Sequence, residues 1–209
     1  VTSPALPEPP FPPDPTTLDG DLEPNLSRWL WLVKWFLAIP HVIVLIFLGI
    51  AFFFVTLFAF FAILFTERYP RGMFDFNLGV LRWGWRVSFY AFGPIATDRY
   101  PPFSLGEEPD YPARLDVEYP ERLSRGLVLV KWWLLAIPQY IIVAFFSGGY
   151  GWTGLIGVIS FFAVVALLFT SRYPRSLFDF NMGMNRWTYR VITYAALMRD
   201  RYPPFRLDP

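Results

Sequence analysis

Two sets of side chains carry spacing from which chemistry could be built: Asp75, Arg82, Arg86 and Tyr90, and again Asp179, Arg186, Arg190 and Tyr194. At about 100° per residue on a helix, the members of each set, with Gly79 or Gly183 among them, fall within about 80° of one another. Two guanidiniums one turn apart can hold a phosphate by forked hydrogen bonds, and a glycine beside them lets a headgroup or a neighbouring backbone come close. The same stripe also fits an internal network, in which Asp75 pairs with basic residues and the helix docks on its own hairpin. Both readings remain open from sequence.

Other chemistry finds little support. Cysteine is absent, which excludes disulfides, thiolate metal sites and cysteine nucleophiles. His41 is the one histidine, it follows Pro40, and the second half of the chain has Gln139 there, so a packed polar side chain near a kink is expected. Ser27 and Ser124 stand before arginine with no adjacent base or oxyanion-hole motif, so they read as helix starts or surface residues. No catalytic residue, metal ligand or cofactor is expected. A formal net charge of +1 speaks against a nucleic-acid partner.

The stripes occur twice because the chain is one module written twice. Leu18-Asp19 and Leu26-Ser27-Arg28 match Leu115-Asp116 and Leu123-Ser124-Arg125 at an offset of 97, and Arg68-Tyr69-Pro70-Arg71 matches Arg172-Tyr173-Pro174-Arg175 at 104. Seven extra residues therefore enter the second apolar block, and the glycine-rich stretch from Ser147 to Gly154 is the obvious place. An insertion there marks a loop, which predicts two helices per apolar block. The chain, 55% apolar and 21% aromatic, has the composition of a membrane protein. Each crossing needs about 20 residues.

The expected organisation is a proline-rich extended arm over 1–17, a first repeat over 18–105, a linker over 106–113 and a second repeat over 114–209. Spans are placed at 29–48 and 50–66, with Gly49 at a tight turn, and at 127–146 and 153–170. For copy one alone, an interfacial helix up to Pro40 followed by one long span is the alternative. Pro40 and Pro138 should kink the first helix of each pair. Third segments at 73–92 and 177–198 carry the stripes on an aromatic body, as helices in the headgroup layer do. The predicted fold class is thus an all-α membrane protein of two parallel repeats, each a transmembrane hairpin plus an amphipathic interfacial helix, four spans in total.

Arginine placement favours this over a three-span inverted repeat. With two spans per copy all 18 Lys and Arg residues, Lys34 and Lys131 included, fall on one side, which satisfies the positive-inside rule with both termini cytoplasmic. With three, Arg82, Arg86, Arg186 and Arg190 enter the hydrocarbon at about 2.5 to 3.5 kcal/mol each. Six of the 11 tyrosines precede proline, at 69, 100, 111, 119, 173 and 202, and each follows a charged residue. Tyrosine anchors at the headgroup boundary while proline stops a helix, so these pairs are expected to end spans and turn the chain along the surface. Glu107, Glu108 and Asp110 read as solvated linker residues. The alternation of charged and apolar residues from Arg114 to Tyr119 predicts a short strand, paired with its counterpart near Leu18.

Ala38-Ile39-Pro40-His41, Phe65-Thr66, Arg68-Tyr69-Pro70-Arg71, Phe74-Asp75-Phe76, Arg82-Trp83, Arg86-Val87 and Asp98 to Phe103, repeated in the second half apart from Gln139 and the glycine-rich turn, carry a resemblance. The pattern resembles a family of bacterial membrane proteins defined as a domain of unknown function, number four-three-eight-nine, over about residues 18–208. The resemblance implies an integral protein of the bacterial cytoplasmic membrane and supplies no activity. The expected function is a non-enzymatic accessory or scaffold subunit packed against lipids, anionic ones among them, and a larger membrane protein complex. A small transporter or channel is the alternative, disfavoured by the uncharged stretch from Ile50 to Phe65. A lipid headgroup-binding or lipid-modifying protein comes third.

Overall fold

The computed structural model describes residues 14–148 and 154–208. Most of the expected proline-rich arm and the centre of the glycine-rich turn lie outside the described residues. Copy one runs through β1 (Thr16–Gly20), α1 (Trp31–Leu37), α2 (Ile39–Thr66) and α3 (Arg71–Val87), which a π-helical turn at Ser88–Phe92 extends. Copy two runs through β2 (Ala113–Val117), α4 (Arg125–Val130), a π-helical turn at Lys131–Leu135, α5 (Ile137–Ser147), α6 (Leu155–Thr170) and α7 (Arg175–Ala195).

The expected hairpin of copy one does not form. Gly49 lies inside α2, which continues for 28 residues. A lone glycine costs a helix only about 1 kcal/mol, and no second turn residue stands beside it. Among the described residues α2 is the one helix long and apolar enough to cross a membrane by itself. In copy two, α4 with its π turn meets α5 at a bend of 47°, and α6 is only 16 residues long. Copy one thus follows the alternative arrangement, a short helix ending before Pro40 and one long helix in place of the segments at 29–48 and 50–66, whereas copy two keeps two apolar segments close to 127–146 and 153–170, the first of them bent and the second short of a full crossing. The proline kinks do form: Pro40 and Pro138 each sit in the first turn of a new helix, where the missing amide costs nothing.

The π turn in copy two has a sequence cause. Lys34 and Pro40 are 6 residues apart, whereas Lys131 and Pro138 are 7 apart, so one residue of the insertion enters here. A π turn absorbs it without breaking the helix.

Three layers result. The sheet lies on α3 and α7, with β2 on α3 and β1 on α7, and α2, α5 and α6 pack on the other side of the same two helices. Leu18, Trp85, Phe89, Leu115, Phe178 and Met182 fill the space between sheet and helices, and Ala59, Ile63, Tyr69, Phe74 and Leu78 that between α2 and α3. The third segments are therefore the middle of the molecule. Their aromatic bodies, Trp83, Trp85, Phe89 and Trp187, are buried in the protein instead of facing outward.

β1 and β2 pair antiparallel, as the alternation predicts, with Leu18 opposite Leu115. These two are repeat equivalents, so a local two-fold axis passes between them, normal to the sheet and hence to the layers. Both copies accordingly present their outer helices to one face, and that face is apolar. Ile43, Phe47, Ile50, Phe54, Phe58 and Phe61 recur at helical spacing and are exposed, and only 6% of the most apolar stretch of α2 is buried.

Candidate functional site

The stripes meet protein. Arg82 reaches from α3 to the strand of the other copy: its Nε donates to the Leu115 carbonyl at 2.9 Å, and its Nη2 lies 2.8 Å from Asp116 and 2.6 Å from Glu107. Arg186 does the reciprocal from α7, donating from Nε to the Leu18 carbonyl at 3.0 Å with Asp19 at 3.9 Å. Each copy therefore clasps the strand of the other. Glu107, expected to be solvated, is one jaw of the first clasp.

Arg86 and Arg190 hold loops. Arg86 donates to the carbonyls of Gly106, at 2.9 Å, and Ser104, and Arg190 to those of Arg206, at 3.1 Å, and Asp208, at 2.5 Å. Both are 2% exposed. Burial lowers both guanidinium pKa values from the ordinary arginine range, opposed at Arg86 by Glu108 and at Arg190 by Asp14. The loops they hold lie on the stripe glycines. A Cβ on Gly79 would stand 2.7 Å from the Leu105 carbonyl oxygen, and one on Gly183 would stand 2.9 Å from the Leu207 Cβ. The expected close approach to glycine is real, and the partner is the chain's own backbone.

Asp75 and Asp179 do not join this constellation. They are exposed and pair with Arg71 at 3.4 Å and Arg175 at 3.6 Å, one turn back on their own helices. Tyr90 and Tyr194 are buried at the far end of the stripe, below two lysines whose role the sequence reading missed. Lys34 lies 5.3 Å from the Tyr90 ring centre, 2.8 Å from Asp98 and 2.6 Å from the Thr97 carbonyl; Lys131 lies 5.6 Å from Tyr194, 2.7 Å from Asp200 and 2.8 Å from the Arg199 carbonyl. Burial lowers the Lys34 pKa, and the hydrogen bond and charge of Asp98 oppose it. The same aspartates accept from the Ser27 amide at 2.5 Å and the Ser124 amide at 2.6 Å, pinning the start of each outer layer to the loop after α3 or α7. A cation in the same place of both apolar blocks, matched by the first residue of both Asp-Arg-Tyr-Pro-Pro-Phe motifs, was the available signal.

The His41 to Gln139 exchange is explained by a third repeated contact. The Trp83 indole donates to His41 Nδ1 at 3.0 Å, and that of Trp187 to Gln139 Oε1 at 2.6 Å. Any acceptor of suitable reach serves. The tyrosine–proline pairs divide: Pro70 and Pro174 do start α3 and α7, but Tyr69 and Tyr111 are core residues, while Tyr100 is exposed. Burial raises the Tyr69 phenol to about 12, against hydrogen bonds from Asn77 and Thr56, and raises Tyr111, Tyr173 and Tyr189 as well.

A cavity of about 310 Å³ borders the first clasp, with Arg82, Arg86 and Arg114 facing Asp19, Glu107, Glu108 and Asp116. Carboxylates outnumber guanidiniums, so an anion entering must displace partners the arginines already have. Among the described residues no three His, Asp or Glu side chains are grouped to hold a metal ion. The arrangement can fix two copies, two loops and an outer layer in one geometry, and it leaves the apolar face as the surface with an unmet physical demand.

A family model described as Domain of unknown function (DUF4389) matches residues 28–104 and again residues 128–206. No curated protein and no solved structure matches the chain.

Proposed function

The chain belongs to the Domain of unknown function (DUF4389) family, and on that premise we propose that it is a non-catalytic accessory subunit seated in the bacterial cytoplasmic membrane, packing on lipid and on a larger membrane protein complex. The exposed apolar face of α2 carries this reading. A core helix of a soluble domain would hide most of that stretch, and here 6% is hidden.

The layering supports a seat within the plane of the membrane. α3 lies along α2 and carries β2 on its other side, with Asp116 and Glu107 exposed beyond it. Standing α2 across the bilayer would draw those carboxylates and Arg114 to hydrocarbon depth, at about 2.5 to 3.5 kcal/mol per charge. α2 is also about 42 Å long against a hydrocarbon core of about 30 Å. With α2 lying flat, its apolar face enters one leaflet and the charged sheet stays in water, on the cytoplasmic side by the excess of arginine there. Headgroup contact, expected of the stripes, passes to the exposed Arg68, Arg71, Arg172 and Arg175 at the ends of α2 and α6.

Because the chain has no cysteine, single cysteines at Ser27 and Glu67, which flank α1 and α2, test the seat directly. Both should react with an impermeant reagent from the same side of sealed vesicles; reaction from opposite sides overturns it. Extraction in mild detergent should return the protein with a larger complex. Recovery alone, with solute flux in liposomes that depends on it, would favour the transporter reading.

A further inference from the structure

A groove of about 500 Å³ opens on the apolar face where the copies meet. Phe53 and Phe60 of α2 form one wall, Trp132 and Val143 of the bent α4–α5 pair another, and Val191 and Ala196 at the end of α7 the floor. Two hydroxyls line it, and both are engaged: Thr56 accepts from Asn77 Nδ2 at 3.0 Å, and Tyr140 donates to the Trp132 carbonyl at 2.5 Å. The volume lies within the roughly 300 to 1,000 Å³ of ligand sites, but both hydroxyls that could orient a polar ligand are already engaged. What such a groove can take is hydrocarbon.

The groove is not a by-product of the repeat. In copy one the equivalent walls, Trp35, Val42, Leu45 and Val87, line two separate hollows, and Phe92 borders both. Phe92 stands two residues after Tyr90, where copy two has Ala196 two residues after Tyr194. A ring thus divides the site in one copy, and a methyl group leaves it whole in the other, where α2 closes it.

We propose that this groove holds one acyl chain of a bilayer glycerophospholipid. The proposal rests on the membrane seat argued above, which sets the mouth, with Phe53 and Trp132 exposed, among lipid chains. One end also suits a headgroup. Arg125 donates to the Phe65 carbonyl at 3.1 Å and lies 3.2 Å from Glu67, beside the exposed Arg68, and Phe65 is about 7.5 Å along α2 from Phe60. A chain in the groove leaves its phosphate within reach of those cations.

The test uses the full chain in vesicles of phosphatidylglycerol and phosphatidylethanolamine, with a photoreactive diazirine midway along one acyl chain, and peptide mapping of the adducts. Adducts should concentrate on 52–60, 132–143 and 191–197. Ala196→Phe, which copies the first repeat, should lower them roughly tenfold relative to those on the exposed stripe at Phe47 and Ile50. Val143→Trp fills the groove from another helix and should do the same, so a folding defect in one variant does not decide the matter. Even labelling of stripe and groove, unchanged in both variants, overturns the groove and leaves the seat standing. Labelling of neither overturns the seat and the groove with it. Absence of lipid adducts on these segments, together with a dimer that a separate bifunctional cross-linker traps through them, overturns the acyl chain in favour of a second copy.

Discussion

Leu18 of β1 faces Leu115 of β2, the residue that holds its own place in the other repeat. A two-fold axis between two equivalent residues lets contacts across it recur in pairs, and the reciprocal clasps of Arg82 on β2 and Arg186 on β1 are that consequence in side chains. Neither copy completes its own sheet or satisfies its own long arginine. Duplication is in this sense a structural requirement of the module.

The two clasps should not be worth the same. Arg82 has carboxylates at 2.6 and 2.8 Å, whereas the one near Arg186 is at 3.9 Å. The carboxylates are largely exposed, which discounts them, so Arg82→Gln should cost about 1 to 2 kcal/mol and Arg186→Gln less. Urea unfolding of the detergent-solubilised chain measures both, and equal losses would contradict the asymmetry.

Glycines on two helices should respond in opposite directions. At Gly79 a methyl group meets the Leu105 carbonyl oxygen, held in place by Arg86, so Gly79→Ala should destabilise by about 1 to 3 kcal/mol. Nothing lies within 4 Å of a Cβ at Gly49, inside α2, and Gly49→Ala should stabilise by up to about 1 kcal/mol. If Gly49 were a turn, as the sequence suggested, the second substitution would destabilise.

Much of this was legible because repetition doubles each signal. The strand pairing came from alternation, the joints from Pro40 and Pro138, and the common face of Gly79, Arg82 and Arg86 from helical spacing. What that face meets was not legible: an arginine stripe looks the same to a phosphate as to a row of carbonyls, and only the loops at 104–106 and 206–208 decide between them. The hairpin failed for a related reason. The glycine-rich break of copy two has no counterpart in copy one, where a single glycine is too weak to end a helix. The sequence shows the charge of Lys34 and Lys131 but not their partners, because the aspartates that pair with them lie more than 60 residues away.

The N-terminal side of β1 is fastened by a pair unlike those on the surface. The side chains of Asp14 and Arg199 are each 2% exposed, with Arg199 Nη2 donating at 2.9 Å and its other Nη to the second carboxylate oxygen. Asp14→Asn should leave a buried guanidinium short of its partner and cost about 3 to 5 kcal/mol, with little dependence on salt. Asp75→Asn removes the exposed partner of Arg71 and should stay within about 0.5 kcal/mol. Comparable losses for the two would mean that the Asp14 pair is solvated.

Alkali should reveal the buried phenols. Tyr69 is pushed up to about 12 from an ordinary value of 10.0, with burial as the main cause. A group whose pKa is higher in the folded state lends stability that is whole below the unfolded value and is lost as pH climbs toward the folded one. Stability should therefore hold up to about pH 10 and fall between about 10 and 12. Tyr111, Tyr173 and Tyr189 are raised in the same direction and steepen the fall. Followed by phenolate absorbance and circular dichroism together, a fraction of the 11 tyrosines should ionise only as the fold is lost. Tyr69→Phe should make the decline shallower. Smooth ionisation of every tyrosine near pH 10 with the circular dichroism unchanged would show that Tyr69 is in contact with water, and the packing of α2 on α3 would have to be redrawn.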